Sequence, residues 1–144
     1  MSGNISARNC FSGVVSQVNT GPINAQVELS LAGGDKIIAI VTRESVDALA
    51  LAPGKAATAL VKASWVLLTA GHGKLRFSAR NHLPGTVASV EKGAVNSDVA
   101  VELAGGSIAH AIVTNEAVLE LGLKPDVPVS VLFKASHVIL GVPV

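Results

Sequence analysis

Apolar and polar residues alternate in several short stretches of this chain, a pattern that predicts β-strands. The first two such stretches are FSGVVSQV at 11–18 and INAQVELSLA at 23–32. The pair Gly33-Gly34 comes next, and because glycine accepts a positive φ at little cost, it predicts a tight hairpin. The strand IIAIV at 37–41 follows the hairpin, so this part of the chain predicts three consecutive antiparallel strands.

The period then changes from that of a strand to that of a helix. In TRESVDAL at 42–49 the Val and Leu fall at helical spacing, and Thr42 stands where an N-cap is expected. Pro53 lies where such a helix would stop. The stretch ATALVKASWVLL at 57–68 predicts one last strand. Several strands and one short helix in about 65 residues are typical of a small closed barrel related to the OB-fold.

The same series of elements occurs a second time. Ser6 aligns with Ser78 at an offset of 72, and roughly 29 of 64 pairs are identical between 5–68 and 77–140. Gly105-Gly106 repeats the hairpin, and Gly122 and Pro125 end the second helix. The chain is therefore predicted to be all-β with one short helix per repeat, folded as tandem OB-like β-barrels. The first domain spans 1–71, the second spans 72–144, and TAGHGKLR at 69–76 joins them.

Composition and charge restrict the function. Eleven Lys and Arg against ten Asp and Glu give a formal net charge of only +1, too small a positive charge to hold a nucleic acid. We therefore expect no binding of nucleic acid. The single cysteine, Cys10, suits a reducing compartment. The opening residues show no secretory signal, and no run of about 18 apolar residues predicts a membrane helix. We expect a soluble cytoplasmic protein without membrane association.

Several polar residues that turns do not explain recur in both copies: Ser6, Arg8, Asn9, Asn24, Thr42, Glu44, Lys62 and Ser64, each with its partner 72 positions later. Most of them are hydrogen-bond donors. Thr42 lies at a helix start whose free N–H groups favour anions, and the small Ala7 and Ala63 let backbone N–H groups approach a ligand. A pocket of donors alone suits a fully deprotonated tetrahedral dianion and disfavours hydrogen phosphate, whose proton needs an acceptor.

Each of these residues also has a purely structural interpretation. Arg8 taken alone fits a solvated or ion-paired surface group, Thr42 and Thr114 serve as N-caps in any case, and Lys62 fits an outward position on an edge strand. Ser64 could simply pair with the backbone.

The residues usually found in enzyme and metal sites give weaker signals. Ala-Pro-Gly-Lys at 52–55 lacks the spacing of a phosphate loop and predicts a turn. The histidines at 72, 82, 110 and 137 lack metal-ligand spacing and are interpreted as surface residues, and the aspartates at 35, 47, 98 and 126 recur at no matched position. Cys10 aligns with His82, so no duplicated Cys-His pair exists. We expect neither an enzyme nor a covalent cofactor. Trp65 is expected at a barrel end or an interface.

Four motifs together resemble the molybdate/tungstate-binding Mop domains, also called TOBE-type: the S-A-R-N opening, the turn G-A-V-N at 93–96 with G-P-I-N at 21–24, the helix start V-T-x-E-S, and the closing K-A-S-x-V-x-L-G-V. A chain of two such domains is similar to the di-domain molbindins of the ModG type. The resemblance implies an OB-like barrel in each half, a homotrimer, and oxyanions bound between domains of different subunits.

The resemblance also implies site residues. One domain gives S-x-R and the lysine of K-A, and another gives T-x-x-S, whose serine is Ala117 in the second copy, so one hydroxyl is lost there. With the donors noted above, the predicted oxyanion-binding residues are Ser6, Ala7, Arg8, Thr42, Ser45, Lys62, Ala63, Ser64, Ser78, Ala79, Arg80, Thr114, Lys134, Ala135 and Ser136. Asn24 and Asn96 are candidates for a second type of site on the threefold axis.

Two functions remain open at this point. The first is a cytoplasmic protein that binds molybdate or tungstate for storage or homeostasis. The second is a regulatory or oligomerisation module that responds to the anion and acts through a protein partner. The sequence does not separate molybdate from tungstate, since both are tetrahedral dianions of similar size.

Overall fold

The computed structural model describes residues 5–70 and 75–144 of the 144-residue chain. The predicted domain boundary at 71/72, and His72 with it, lie outside the described residues. The first half contains β1 (Asn9–Thr20), β2 (Asn24–Leu31), β3 (Lys36–Thr42), α1 (Arg43–Ala48), β4 (Ala56–Val61) and β5 (Leu67–Ala70). The second half contains β6 (Asn81–Lys92), β7 (Asn96–Leu103), β8 (Ile108–Thr114), α2 (Asn115–Leu121), β9 (Pro128–Phe133) and β10 (Ile139–Gly141).

The alternating stretches form antiparallel strands, as the sequence predicts. β1, β2 and β3 make a meander, and β6, β7 and β8 make the equivalent one in the second half. The hairpin glycines Gly34 and Gly106 have φ values of 97° and 96°, which explains the glycine at each position. The all-β prediction with one short helix per repeat is therefore confirmed. Within the described residues, no helix is long and apolar enough to cross a membrane.

The two halves exchange their last strands. The strand order is β10-β4-β1-β2-β3 in one sheet and β5-β9-β6-β7-β8 in the other, so each half completes the sheet of its partner half. The two end strands of each sheet contact each other, which curls the sheet into a barrel. The single last strand predicted over 57–68 is wrong, because the chain makes a 3₁₀ turn at Ala63–Trp65 and β5 then continues in the other barrel. Ala135–His137 forms the equivalent turn before β10.

One continuous apolar core joins both halves. Val27 and Ile37 from the first half and Val99 and Val101 from the second are fully buried within it, and the side chain of Leu140 in β10 belongs to the same cluster. Since valine, alanine and leucine supply most of this core, the shortage of aromatic residues does not prevent close packing.

The asparagine of each Ser-Ala-Arg-Asn sequence connects one half to the other. Asn9 donates from Nδ2 to the His110 carbonyl at 2.8 Å and accepts from the His110 amide at 2.6 Å. Asn81 makes the same pair of bonds with the backbone of Ile38, both at 2.8 Å. Both asparagines are 1% exposed. Each side chain thus satisfies the backbone N–H and C=O of one residue at the edge of β8 or β3, as a residue of a neighbouring strand would. These bonds explain the repeated asparagine without a ligand.

The hairpin tips of the two halves also meet. The Gly105 amide donates to Asp35 Oδ2 at 2.9 Å, and a Cβ atom placed on Gly33 would overlap the backbone of Gly105. Glycine at this point therefore permits a close approach of two main chains.

Candidate oxyanion site

The register of the sheets brings the repeated arginine and lysine together. Asn9 pairs with Val61 across β1 and β4, so Arg8 and Lys62, the next residues outward, leave the sheet at the same end. Asn81 and Phe133 are paired in the same way across β6 and β9. Arg80 therefore emerges beside Lys134, and a cationic pair forms once in each half.

Each cationic pair lines an open cavity. The first cavity has a volume of about 500 Å³, and its polar lining residues include Ser6, Arg8, Lys62 and Ser64, together with the small Ala7 and Ala63. The second cavity measures about 530 Å³ and is lined by the corresponding residues Ser78, Ala79, Arg80, Lys134, Ala135 and Ser136. No acidic side chain lines either cavity among the described residues. The structure thus gathers twelve of the fifteen predicted residues into two equivalent clusters.

Two aromatic rings form a wall shared by both cavities. Trp65 and His137 occupy equivalent positions in the two copies, and their ring centroids lie 4.6 Å apart. Lys62 Nζ lies 5.2 Å from the centre of the Trp65 ring, a distance at which a cation is attracted by the ring face. Trp65 thus packs where the two barrels meet, which the sequence could only suggest.

The predicted threonines cap the helices. Thr42 Oγ1 accepts from the Ser45 amide at 3.1 Å and lies 2.8 Å from Ser45 Oγ, and Thr114 Oγ1 accepts from the Ala117 amide at 3.0 Å. Thr42 and Ser45 line another cavity of about 370 Å³, which also includes Asn24 and adjoins the Arg80 cavity at Ser136. Within one chain, these helix-start hydroxyls therefore do not line the two cavities with the arginines.

The two clusters differ in the surroundings of the arginine. Arg8 Nη1 lies 3.1 Å from Asp98 Oδ2, and the other carboxylate oxygen of Asp98 lies 3.0 Å from His110 Nδ1. Arg80 has no ion pair in the described part of the chain. Asp98 could not be found from the repeat, because Gln26 occupies the equivalent position. The surface interpretation of His110 also needs correction, since its side chain is partly buried against this carboxylate.

The remaining predicted residue, Asn96, is exposed and lies at the start of β7, as Asn24 does at the start of β2. Most of the hydroxyl and cationic side chains in the clusters are exposed too. Among the described residues no group of three His, Cys, Asp or Glu could hold a metal ion. The clusters are therefore suited to hydrogen bonding and charge neutralisation of an anion, and an open face leaves room for a further group of donors.

Known proteins that resemble this chain include proteins that bind an oxyanion. The TOBE domain matches the chain twice, at residues 5–68 and 78–140. A crystal structure of the cytoplasmic molybdate-binding protein ModG with molybdate bound has a TM-score of 0.92 and 54% identity to this chain. The match covers 96% of this chain and 99% of that one.

Two curated relatives are similar over nearly the whole chain. Molybdenum-pterin-binding protein MopA of Rhodobacter capsulatus is 43% identical over 96% of this chain and 52% of its own length. Molybdenum transport protein ModE of Herbaspirillum seropedicae is 41% identical over 99% of this chain and 53% of its own length. The chain thus spans about half the length of these two relatives.

Proposed function

Because the chain belongs to the TOBE domain family, we propose that it binds molybdate at its duplicated donor clusters. The observation that carries this proposal is the assembly of the same set, a serine, an arginine, a lysine and the small residues beside them, in two equivalent cavities that no carboxylate of the described residues lines. A tetrahedral dianion uses every one of these donors, whereas a protonated anion would lack an acceptor. The similarity to ModG with molybdate bound supports the same ligand, and tungstate has the same charge and shape.

We infer that each site is completed by another subunit. Each cavity is much larger than one tetrahedral anion, which leaves room for donors from elsewhere. Thr42 and Ser45, the further predicted donors, line a different cavity of the same chain. A neighbouring copy could supply them, so we propose a homo-oligomer, specifically a trimer. A site that uses the second helix start would have Ala117 and one hydroxyl fewer.

The biological role that fits these features is binding of molybdate for storage or homeostasis in the cytoplasm, without catalysis. A second candidate has its own support, since the match to ModE covers only about half of that longer protein. In this alternative, the repeat is an oxyanion-responsive regulatory module that acts through a protein partner. A partner that binds only in the presence of molybdate would favour the alternative.

The test is calorimetric titration of the purified, anion-free protein with molybdate, in the presence of sulfate or phosphate as competitor. We expect tight binding that resists both competitors, with more than one site per chain. The double variant Arg8→Ala/Arg80→Ala should lose most of this affinity, because each cluster loses its bidentate donor. The matched control is Lys55→Ala/Lys124→Ala, which removes the same charge from positions outside both cavities and away from the helix starts.

Thermal unfolding provides a second readout. A ligand that binds only the folded state stabilises it by about 2.7 kcal/mol at a hundredfold excess over Kd, so molybdate should raise the Tm of the wild type and of the control pair. Full molybdate affinity in a folded Arg8→Ala/Arg80→Ala protein would reject the assigned site. Absence of any binding to the wild type would reject the function.

A further inference from the structure

The arginines of the two clusters are identical in sequence but not in environment. Arg8 is paired with Asp98, which reaches it from β7 of the other half, and Asp98 also contacts His110 on β8. The position equivalent to Asp98 is Gln26, a neutral residue. In the described part of the chain, Arg80 therefore has no carboxylate partner where Arg8 has one.

The carboxylate is held more firmly than the guanidinium. The side chain of Asp98 is 13% exposed and that of Arg8 is 61% exposed, so the arginine extends to solvent while the aspartate lies against the sheet. With contacts to Arg8 on one oxygen and to His110 on the other, Asp98 has a fixed position beside the first cluster. An anion that approaches Arg8 must share that guanidinium with a nearby negative charge.

The two clusters thus present different net charges to a ligand. Arg8 and Lys62 contribute two positive charges, and Asp98 offsets one of them. Arg80 and Lys134 contribute two positive charges with no such offset in the described residues. Repulsion between a carboxylate and a dianion weakens binding, and it grows with the charge of the anion.

We propose that Asp98 makes the two oxyanion clusters unequal, with the Arg80 cluster filling first and the Arg8 cluster serving as a second site of lower affinity. Asp98 is a positioning and charge-tuning residue that acts through Arg8 and does not line the cavity itself. This inference rests on the proposed function, since it concerns the affinity of the same clusters for a tetrahedral dianion.

The test is a reciprocal exchange of the two equivalent residues. Asp98→Gln gives the first cluster the residue of the second, and Gln26→Asp does the reverse. Calorimetric titration of the wild type with molybdate should resolve two classes of site, and because Ala117 also removes one hydroxyl from sites that use α2, the exchange variants assign the difference to Asp98. Asp98→Gln should raise the affinity of the weaker class about five- to tenfold, and Gln26→Asp should lower that of the stronger class by a similar factor. Glu120→Gln, which removes an exposed charge on α2, is the control for net charge.

Perrhenate, a tetrahedral monoanion, separates electrostatics from a change in local structure. Because it carries half the charge of molybdate, Asp98→Gln should raise its affinity by only about two- to threefold. A distortion of the pocket would change the binding of both anions alike. Asp98→Asn, a shorter neutral residue, should reproduce the effect of glutamine.

The outcomes are distinct for the function and for this inference. If the wild type binds no molybdate, the proposed function and the inference both fail. If the wild type binds molybdate in one uniform class, or if the folded Asp98→Gln and Asp98→Asn variants bind it no better than wild type, the function stands and the inequality is rejected.

Discussion

Replacement of Asn81 by alanine tests the connection between the halves. This side chain makes two hydrogen bonds to the backbone of Ile38 and is 1% exposed. The variant loses both bonds, and it leaves the Ile38 amide and carbonyl facing a space that the side chain had filled. A typical bond contributes about 0.5–1.5 kcal/mol, and an unsatisfied buried group costs about 1–3 kcal/mol. We therefore expect a loss of about 2–4 kcal/mol in the free energy of unfolding, a large part of the usual stability of a domain.

Urea unfolding, followed by Trp65 fluorescence at fixed protein concentration in anion-free buffer, measures this loss as a lower midpoint at unchanged slope. Asn9→Ala should behave alike, because Asn9 makes the equivalent bonds to His110. Asn81→Asp keeps the size of the side chain, removes one donor and places a carboxylate against a carbonyl, so it should also destabilise. The matched control is Asn19→Ala, at an exposed position of β1, with a change within about 0.5 kcal/mol.

A result for Asn81→Ala as small as that of the control would refute the reasoning. It would mean that water replaces the side chain at the edge of β3 without loss, so this pair of hydrogen bonds would contribute little to the connection between the halves.

Two further predictions concern other duplicated positions. Gly33→Ala should lower the free energy of unfolding by about 1–3 kcal/mol, because its Cβ would overlap the Gly105 backbone. Gly141→Ala, whose new Cβ meets no described atom within 4 Å, should be nearly neutral in the same urea assay. Equal unfolding midpoints for the two variants would contradict the close approach of the hairpin tips. Ala117→Ser restores the missing hydroxyl at the start of α2. It should raise molybdate affinity roughly tenfold at sites that use this helix start, because one charge-assisted hydrogen bond is added. If calorimetric titration shows no gain in affinity, this helix end contributes to no site.

Much of the fold follows from the pattern of the sequence. The alternation of apolar residues, the paired glycines and the threonine caps predict the strands, hairpins and short helices. The exchange of last strands could not be predicted, because β4 and β9 belong to similar copies and each offers a suitable edge for the last strand of either half. Lys62 and its neighbours also fit a strand pattern, and only the packing of the second barrel shows that the chain turns there.

The candidate site was predictable where it repeats and not where it differs. The recurrence of Ser6, Arg8 and Lys62 in the second copy indicated the clusters. Asp98 left no such signal, because it has no counterpart and its contact with Arg8 arises only when β7 lies beside the first half. Repetition alone does not identify a ligand-binding residue. Asn9 is repeated as Asn81, but its side chain hydrogen-bonds the backbone of a neighbouring strand.

The exchange of last strands has a consequence for synthesis of the chain on the ribosome. β4 ends at Val61, and its outer neighbour β10 begins only at Ile139. The intervening stretch of about 80 residues takes roughly 4–16 s to translate at usual rates, and during that time the edge of β4 has no native partner. During that time the edge of β4 in a nascent first half is exposed to pairing with a strand of another nascent chain. Once the second half emerges, the covalent connection keeps its last strand at high effective concentration, and correct closure then depends little on how much of the protein the cell contains.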